Sequence, residues 1–173
     1  HEAASLAGHL RLGRLITLFD DNHISIDGPT DLTISDDVPM RFESYGWHVI
    51  RGVDGHDPEA VAAAIAAART ERDRPSFIAL RTTIGFGAPS KAGTAATHGA
   101  PLGAEEVSGV RERLGWPHPP FEVPADIAAA WRAAGRRGAG ERTAWLDRLA
   151  SRPDRAAFDS FVSGTLPEGW SEA

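Results

Sequence analysis

Two residues that could bind a metal ion follow the first apolar run of the chain. The run LITLF, residues 15–19, ends at the polar cluster DDNHISIDG, residues 20–28. An apolar run of this kind predicts a buried strand of a parallel sheet, and ligands bind outside the carboxyl ends of such strands. Asn22 offers an amide oxygen, and Ile24 offers a backbone carbonyl oxygen in the following turn. Oxygen ligands suit a hard cation such as Mg²⁺, which proteins commonly share with a phosphate.

A histidine in a long flexible loop is the second candidate for chemistry. His98 precedes Gly99 in the Gly- and Pro-punctuated stretch 84–103, which is too long for a simple connector. Imidazole titrates near neutrality and can donate a hydrogen bond to a phosphate or to a developing oxyanion. The alternative is an exposed loop histidine without a function, and this interpretation is favoured for the other loop histidines, His23, His56 and His118.

The elements that must position these residues alternate along the chain. Apolar runs predict strands at 15–19, 48–53 and 76–83. Apolar periodicity predicts a helix at 1–12, before the first strand, and two helices between the strands, from Ser35 or Asp36 to Gly46 and from Asp57 onward. This order predicts an α/β fold with a parallel sheet flanked by helices. A further helix at 104–114 is expected to turn Val107, Val110 and Leu114 inward, and the residues after 124 form a helical C-terminal extension.

Bulk properties exclude several classes of function. The 173 residues suffice for a sizeable core, and the net charge of −6 provides no basic field for nucleic acid or an anionic membrane. The chain has no cysteine, which excludes disulfides and thiolate metal sites. No apolar segment approaches the roughly 20 residues that cross a bilayer. We expect a soluble, intracellular protein.

Five blocks of sequence, in a fixed order, resemble the transketolase family. They are HEAASLAG (1–8), DDNHISIDG (20–28), MRFESYGWH (40–48), TIGFG (83–87) and HGAPLG (98–103), and the resemblance covers residues 1 to about 123. Members of this family use thiamine diphosphate to move two-carbon ketol units between sugar phosphates. The resemblance implies part of the thiamine-diphosphate-binding fold.

The resemblance also implies a role for each candidate residue. Asn22 through its side-chain oxygen and Ile24 through its carbonyl would coordinate Mg²⁺ (or Ca²⁺ or Mn²⁺) and hold the cofactor diphosphate. Ile26 and Ile84 would line the thiamine rings. His98 would lie between the diphosphate and the sugar substrate and act in catalysis. Without the resemblance, Asn22 is better interpreted as a turn cap and each isoleucine as core.

Neighbouring charged residues receive plainer interpretations. Asp20 and Asp21 are assigned to structure, because further carboxylates beside an anionic diphosphate would repel it. Lys91 does not belong to a Walker loop, because Ala92 follows it. We expect Lys91 to be a solvated loop charge, with the steering of sugar phosphates as the alternative.

The chain opens with His1, within a helical pattern. In the family, the preceding segment carries Gly-Asp-Gly, whose Asp anchors the metal. We therefore expect residues 1–123 to be a partial cofactor domain and residues 124–173 a helical extension or linker toward a pyrimidine-binding domain. Family resemblance also implies a cytoplasmic homodimer of the pentose phosphate pathway. The alternatives are dihydroxyacetone synthase, deoxyxylulose-phosphate synthase, or a non-catalytic binding or scaffold module.

Overall fold

The computed structural model describes residues 1–166 and 169–172. The chain divides into two compact units, His1–Pro117 and His118–Ala173, which are described separately below. The first unit contains α1 (Glu2–His9), β1 (Ile16–Asp21), β2 (Ile24–Ser25), β3 (Gly28–Pro29), α2 (Val38–Ser44), β4 (His48–Asp54), α3 (Pro58–Thr70), β5 (Ser76–Arg81) and α4 (Ala104–Arg113). The second unit contains α5 (Ala125–Arg136), α6 (Ala139–Ala150) and α7 (Arg155–Ser163).

Three parallel strands form the central sheet of the first unit, in the order β1-β5-β4. The register aligns Ile16 of β1 and His48 of β4 with Ser76, so both outer strands start level with β5. β5 is buried over its first four residues, as its continuous apolar run predicts for a strand covered on both faces. The prediction of an α/β fold with a parallel sheet flanked by helices is confirmed.

Successive residues of β5 support two separate cores because side chains alternate between the faces of a strand. Phe77 and Ala79 form one buried cluster with Ala7 of α1 and Trp47, and Phe42 of α2 packs against it. Ile78, which is fully buried, forms the other cluster with α3. The sheet is therefore a middle layer, with α1 and α2 on one face and α3 on the other.

Capping residues mark the starts of α2 and α3, and the start of α2 differs from the predicted position. The carboxylate of Asp57 accepts from the amide of Glu59, and Pro58 occupies the first position of α3, as expected. The predicted start of α2 at Ser35 or Asp36 is wrong. Asp37 caps this helix and accepts from the amide of Met40, since Val38-Pro39 supplies the fixed-φ residue that suits the first turn.

The inward face predicted for α4 is also corrected. Val107 and Leu114 are 45% and 54% exposed, because this helix packs on the loop before it rather than on the sheet. In the second unit, Trp145 packs edge-on to Phe158, whereas Trp131 is 76% exposed. No helix in the described residues is long and apolar enough to cross a membrane.

Candidate cofactor and substrate site

The three strands of the sheet end at one edge and deliver the candidate residues there. Asp21, the last residue of β1, pairs with Arg81, the last residue of β5, and Asp54 at the end of β4 pairs with the same Arg81. Asn22 follows β1 directly, and the loop that carries Ile84 follows β5. In an open α/β sheet this carboxyl edge is the place where ligands bind.

Asn22 begins a tight turn that sets the geometry of the predicted metal ligands. Its Oδ1 accepts a hydrogen bond of 2.9 Å from the amide of Ile24, and His23 between them has a positive φ of 60°. The carbonyl of His23 accepts from the amide of Thr30, at 2.9 Å, which closes the β2–β3 hairpin. Asn22 therefore caps this turn.

The same turn leaves ligand capacity for a cation. An amide oxygen has two lone pairs, and the bond from Ile24 uses one of them. The remaining lone pair of Asn22 and the carbonyl of Ile24 are the type of oxygen donors that Mg²⁺ accepts, together with phosphate oxygens and water. The donor set in this chain thus fits part of a magnesium site, with two of its ligands.

Both aspartates before the turn are occupied by protein partners. Asp20 accepts from the hydroxyl of Thr82, and the Oδ2 of Asp21 lies 3.2 Å from the Nε2 of His23 and 3.4 Å from the Nη1 of Arg81. These contacts tie the end of β1 to the end of β5. They agree with the interpretation of Asp20 and Asp21 as structural residues.

The two isoleucines expected beside the cofactor differ in exposure. Ile26, in the β2–β3 hairpin, is 69% exposed, which leaves its side chain available to an apolar ligand. Ile84 is half-buried after β5. Its carbonyl accepts a 2.8 Å hydrogen bond from the amide of Gly93, so the loop folds back on its own beginning.

That fold-back brings the His98 segment to Ile84. Thr97 lies against Gly85, where a Cβ would be 2.7 Å from the Thr97 methyl group, and Gly85 has a positive φ of 64°. Only a glycine permits this close approach in that backbone conformation. The structure therefore brings Ile84 and the residue before His98 together, at the edge where Asn22 also lies.

His98 itself presents an exposed imidazole on an ordered backbone. Its amide donates to the carbonyl of Ala95 at 3.0 Å, which ends a short 3₁₀ turn, Ala95–Thr97. Among residues 1–166 and 169–172, no side-chain hydrogen bond reaches the His98 ring. The ring is thus free to bind a ligand.

Helix α4 supports the loop from the outside. The Glu106 carboxylate accepts from the amide of Ser90 at 3.2 Å and from its hydroxyl, and the guanidinium of Arg113 donates to the carbonyl of Ala88 at 3.0 Å. Gly109 allows Pro89 to pack directly on the helix. The hydrogen bond from the Ser90 hydroxyl is the main reason that the pKa of Glu106 lies below its usual value.

Two loop residues have partners that the sequence did not reveal. His56 is an exposed loop histidine, as predicted, and in addition its Nε2 accepts from the amide of Thr83 at 2.8 Å and its ring stacks on Phe86 at 3.9 Å. The expectation that Lys91 is a solvated loop charge is wrong, because its Nζ donates to the carbonyl of Leu102 at 2.7 Å in a part-buried position. Both partners lie in the irregular loop, where periodicity carries no information about contacts.

Comparison with known proteins finds relatives that match nearly the whole chain. A family profile described as "Transketolase, thiamine diphosphate binding domain" matches residues 1–167. The chain is 52% identical to transketolase 1 of Vibrio cholerae over 178 aligned positions, and 56% identical to transketolase of Cereibacter sphaeroides over 160. These alignments cover 100% and 92% of this chain.

Solved structures give the same result. Transketolase from Leishmania mexicana superposes with a TM-score of 0.89 at 39% identity, and a Pichia stipitis transketolase complex with sedoheptulose-7-phosphate superposes with 0.88 at 39%. Each covers 99% of this chain and 26% of the solved chain. The chain therefore belongs to the transketolase family and corresponds to its thiamine-diphosphate-binding domain. It spans about a quarter of the curated relatives, 27% and 24% of the two above.

Proposed function

We propose that this chain forms part of a transketolase, which transfers a two-carbon ketol unit from a ketose phosphate to an aldose phosphate. The observation that carries the proposal is the carboxyl edge of the sheet, where the Asn22 turn and the folded loop that bears His98 meet the ends of β1 and β5. The family profile that matches residues 1–167 describes a thiamine-diphosphate-binding domain, which supports the assignment of cofactor binding to this edge. When bound, thiamine diphosphate supplies the electron sink for cleaving and forming the carbon–carbon bond.

The residues of the chain would hold that cofactor at two points. Asn22 and Ile24 would bind Mg²⁺ through an amide and a carbonyl oxygen, and the ion would share its remaining positions with the diphosphate. Ile26 and Ile84 would cover the apolar part of the cofactor and exclude water, which strengthens electrostatic interactions at the reacting centre.

His98 would act on the substrate. Its exposed imidazole can donate a hydrogen bond to a diphosphate oxygen or to a sugar oxygen. The hydrogen bond from its amide to the carbonyl of Ala95 orients the residue before any ligand binds. The imidazole would hold or move the proton of a sugar hydroxyl group.

Partners and location follow from the same assignment. We propose sugar phosphates as substrates, in agreement with the sedoheptulose-7-phosphate bound to the Pichia stipitis relative. A magnesium-dependent cytoplasmic homodimer in the pentose phosphate pathway completes the proposal, with residues 1–123 as the cofactor domain and residues 124–173 as the extension toward the pyrimidine-binding domain.

The test uses the full-length protein that carries this chain. Given thiamine diphosphate, Mg²⁺, a ketose phosphate and ribose 5-phosphate, it should transfer the ketol unit. The variant His98→Ala should lower kcat/KM by about 10²-fold or more, since positioned proton transfer contributes typically 10²–10⁴-fold. Its circular-dichroism spectrum should be unchanged, because the exposed ring contributes little to the core.

Four results would contradict this proposal. Transfer to formaldehyde in preference to ribose 5-phosphate would favour a dihydroxyacetone synthase, and condensation of pyruvate with glyceraldehyde 3-phosphate would favour a deoxyxylulose-phosphate synthase. Near wild-type activity of a folded His98→Ala variant would remove His98 from the mechanism. Absence of thiamine diphosphate binding would instead favour the scaffold module.

A further inference from the structure

The only lysine of the sequence lies beside the proposed substrate site. The chain carries 18 lysines and arginines, and all except Lys91 are arginine. Its Nζ donates to the carbonyl of Leu102, at 2.7 Å, from a part-buried position. Ordering a lysine side chain costs rotamer freedom, and a charge-assisted hydrogen bond of this length offsets that cost. The contact therefore spans the loop, from residue 91 to residue 102.

The main chain of Lys91 is also linked toward His98 by hydrogen bonds from two threonines, Thr94 and Thr97. The Lys91 carbonyl accepts from the amide of Thr94 at 3.2 Å and from its hydroxyl at 2.7 Å. The Thr94 carbonyl accepts in the same manner from the amide of Thr97 at 3.2 Å and from its hydroxyl at 2.9 Å. These bonds hold the arm of the loop that approaches His98.

The arm that leaves His98 has no comparable support. Gly99 has a positive φ of 77°, and no atom lies within 4 Å of the position that its Cβ would take. In the part of the chain that the structure describes, residues 99–102 donate no backbone hydrogen bond. The hydrogen bond from the Lys91 ammonium group to the carbonyl of Leu102 links this arm to residue 91 of the loop.

Lys91 is itself fixed from the side of α4. Its neighbour Ser90 is bound through both amide and hydroxyl to the Glu106 carboxylate. The backbone next to Lys91 is thus held in place by hydrogen bonds to α4. Hydrogen bonds of Lys91 therefore hold both ends of the segment 91–102. Its carbonyl accepts from Thr94 near one end, and its ammonium group donates to the carbonyl of Leu102 at the other.

We propose that Lys91 is a positioning residue for His98. Its bond to the carbonyl of Leu102 holds the return arm of the loop and so orients the imidazole toward the ligand edge. This proposal rests on the substrate role proposed for His98. Lys91 does not need to touch the substrate, which separates the proposal from phosphate steering by its charge.

The first experiment measures the loop directly, in the full-length protein without cofactor or substrate. Lys91→Met keeps the aliphatic stem and removes the donor. Hydrogen–deuterium exchange of the hydrogen-bonded amides in this loop should then become about tenfold faster; these are the amides of Gly93, Thr94, Thr97 and His98. Lys91→Arg keeps a charged donor and should recover most of the protection. Arg69→Met, at an exposed position of α3, controls for the loss of one positive charge. Unchanged exchange in Lys91→Met would overturn the proposal, even if the protein has no ketol-transfer activity.

The second experiment is a double-mutant cycle on ketol transfer. Lys91→Met should lower kcat/KM about tenfold in the wild-type background and cause no further loss in the His98→Ala background, because the histidine to be positioned is absent. Lys91→Arg should retain near wild-type activity. Equal losses in both backgrounds, or normal activity despite faster exchange, would overturn the positioning role. A wild-type protein without ketol transfer would contradict the proposed function, while the exchange data would still decide whether Lys91 closes the loop.

Discussion

At the scale of single residues, the side chain of Asn22 has one observed role and one proposed role. Its Oδ1 accepts from the amide of Ile24, which closes the turn, and the same oxygen is the ligand proposed for the cation. Ile24 differs, because the atom proposed as its ligand belongs to the backbone and is present whatever the side chain. Substitutions at the two positions should therefore have unequal effects.

Asn22→Leu should weaken the binding of thiamine diphosphate with Mg²⁺ by about tenfold or more, as is typical when support of a metal ligand is lost. Ile24→Val should leave the affinity within about threefold, since it preserves the carbonyl. Isothermal titration calorimetry of the full-length protein measures both.

A control variant must separate loss of the turn from loss of the proposed cation ligand. Ser25→Ala removes the 2.9 Å bond from the Ser25 hydroxyl to the carbonyl of Gly28 in the same hairpin, without removing a proposed ligand. Cofactor affinity should survive this change. Equal losses in Asn22→Leu and Ser25→Ala would assign Asn22 to the turn only.

At the scale of elements, close approach of helix and backbone explains where glycine is required. Gly8 in α1 packs on the Tyr45 carbonyl, and a Cβ there would overlap that oxygen. The same contact allows the indole of Trp47 to donate to the carbonyl of Ala4 at 2.9 Å. Gly135 in α5 has no atom within 4 Å of its Cβ position.

These two helical glycines should respond to alanine with opposite signs. Gly8→Ala should lower the free energy of unfolding by about 1–3 kcal/mol, as overpacking does. Gly135→Ala should raise it by up to about 1 kcal/mol, because alanine is the better helix former and the site is open. Urea titration followed by circular dichroism measures both, and a stabilising effect of Gly8→Ala would contradict the close packing of α1 on the Tyr45 carbonyl.

The elements also show what could be predicted from the sequence. β5 and the Asp57-Pro58 helix start were predictable, since burial on both faces and capping act through neighbouring residues. The order of strands in the sheet could not be predicted, because it depends on pairing between segments that are distant in the sequence. The contacts of Lys91 and His56 could not be predicted either, because their partners lie in an irregular loop. Asn22 and His98 were recognised through a family motif, and composition alone would have favoured a turn cap and a surface histidine.

At the scale of the whole molecule, the chain represents about a quarter of the curated relatives that it matches. We expect the 173 residues by themselves to have no ketol-transfer activity with thiamine diphosphate and Mg²⁺, because they match only 27% and 24% of the length of the two transketolases above. A coupled assay with a ketose phosphate and ribose 5-phosphate measures this, with the full-length protein as the positive control. Turnover by the isolated chain would show that its own residues suffice for catalysis.

The central position of β5 has a consequence for how the chain acquires its structure during synthesis. β1 and β4 share no hydrogen bonds, because each pairs only with β5. Both hydrophobic clusters also contain residues of β5. Residues 1–75 therefore cannot close this three-stranded sheet, and its assembly waits for one six-residue segment that pairs with both other strands.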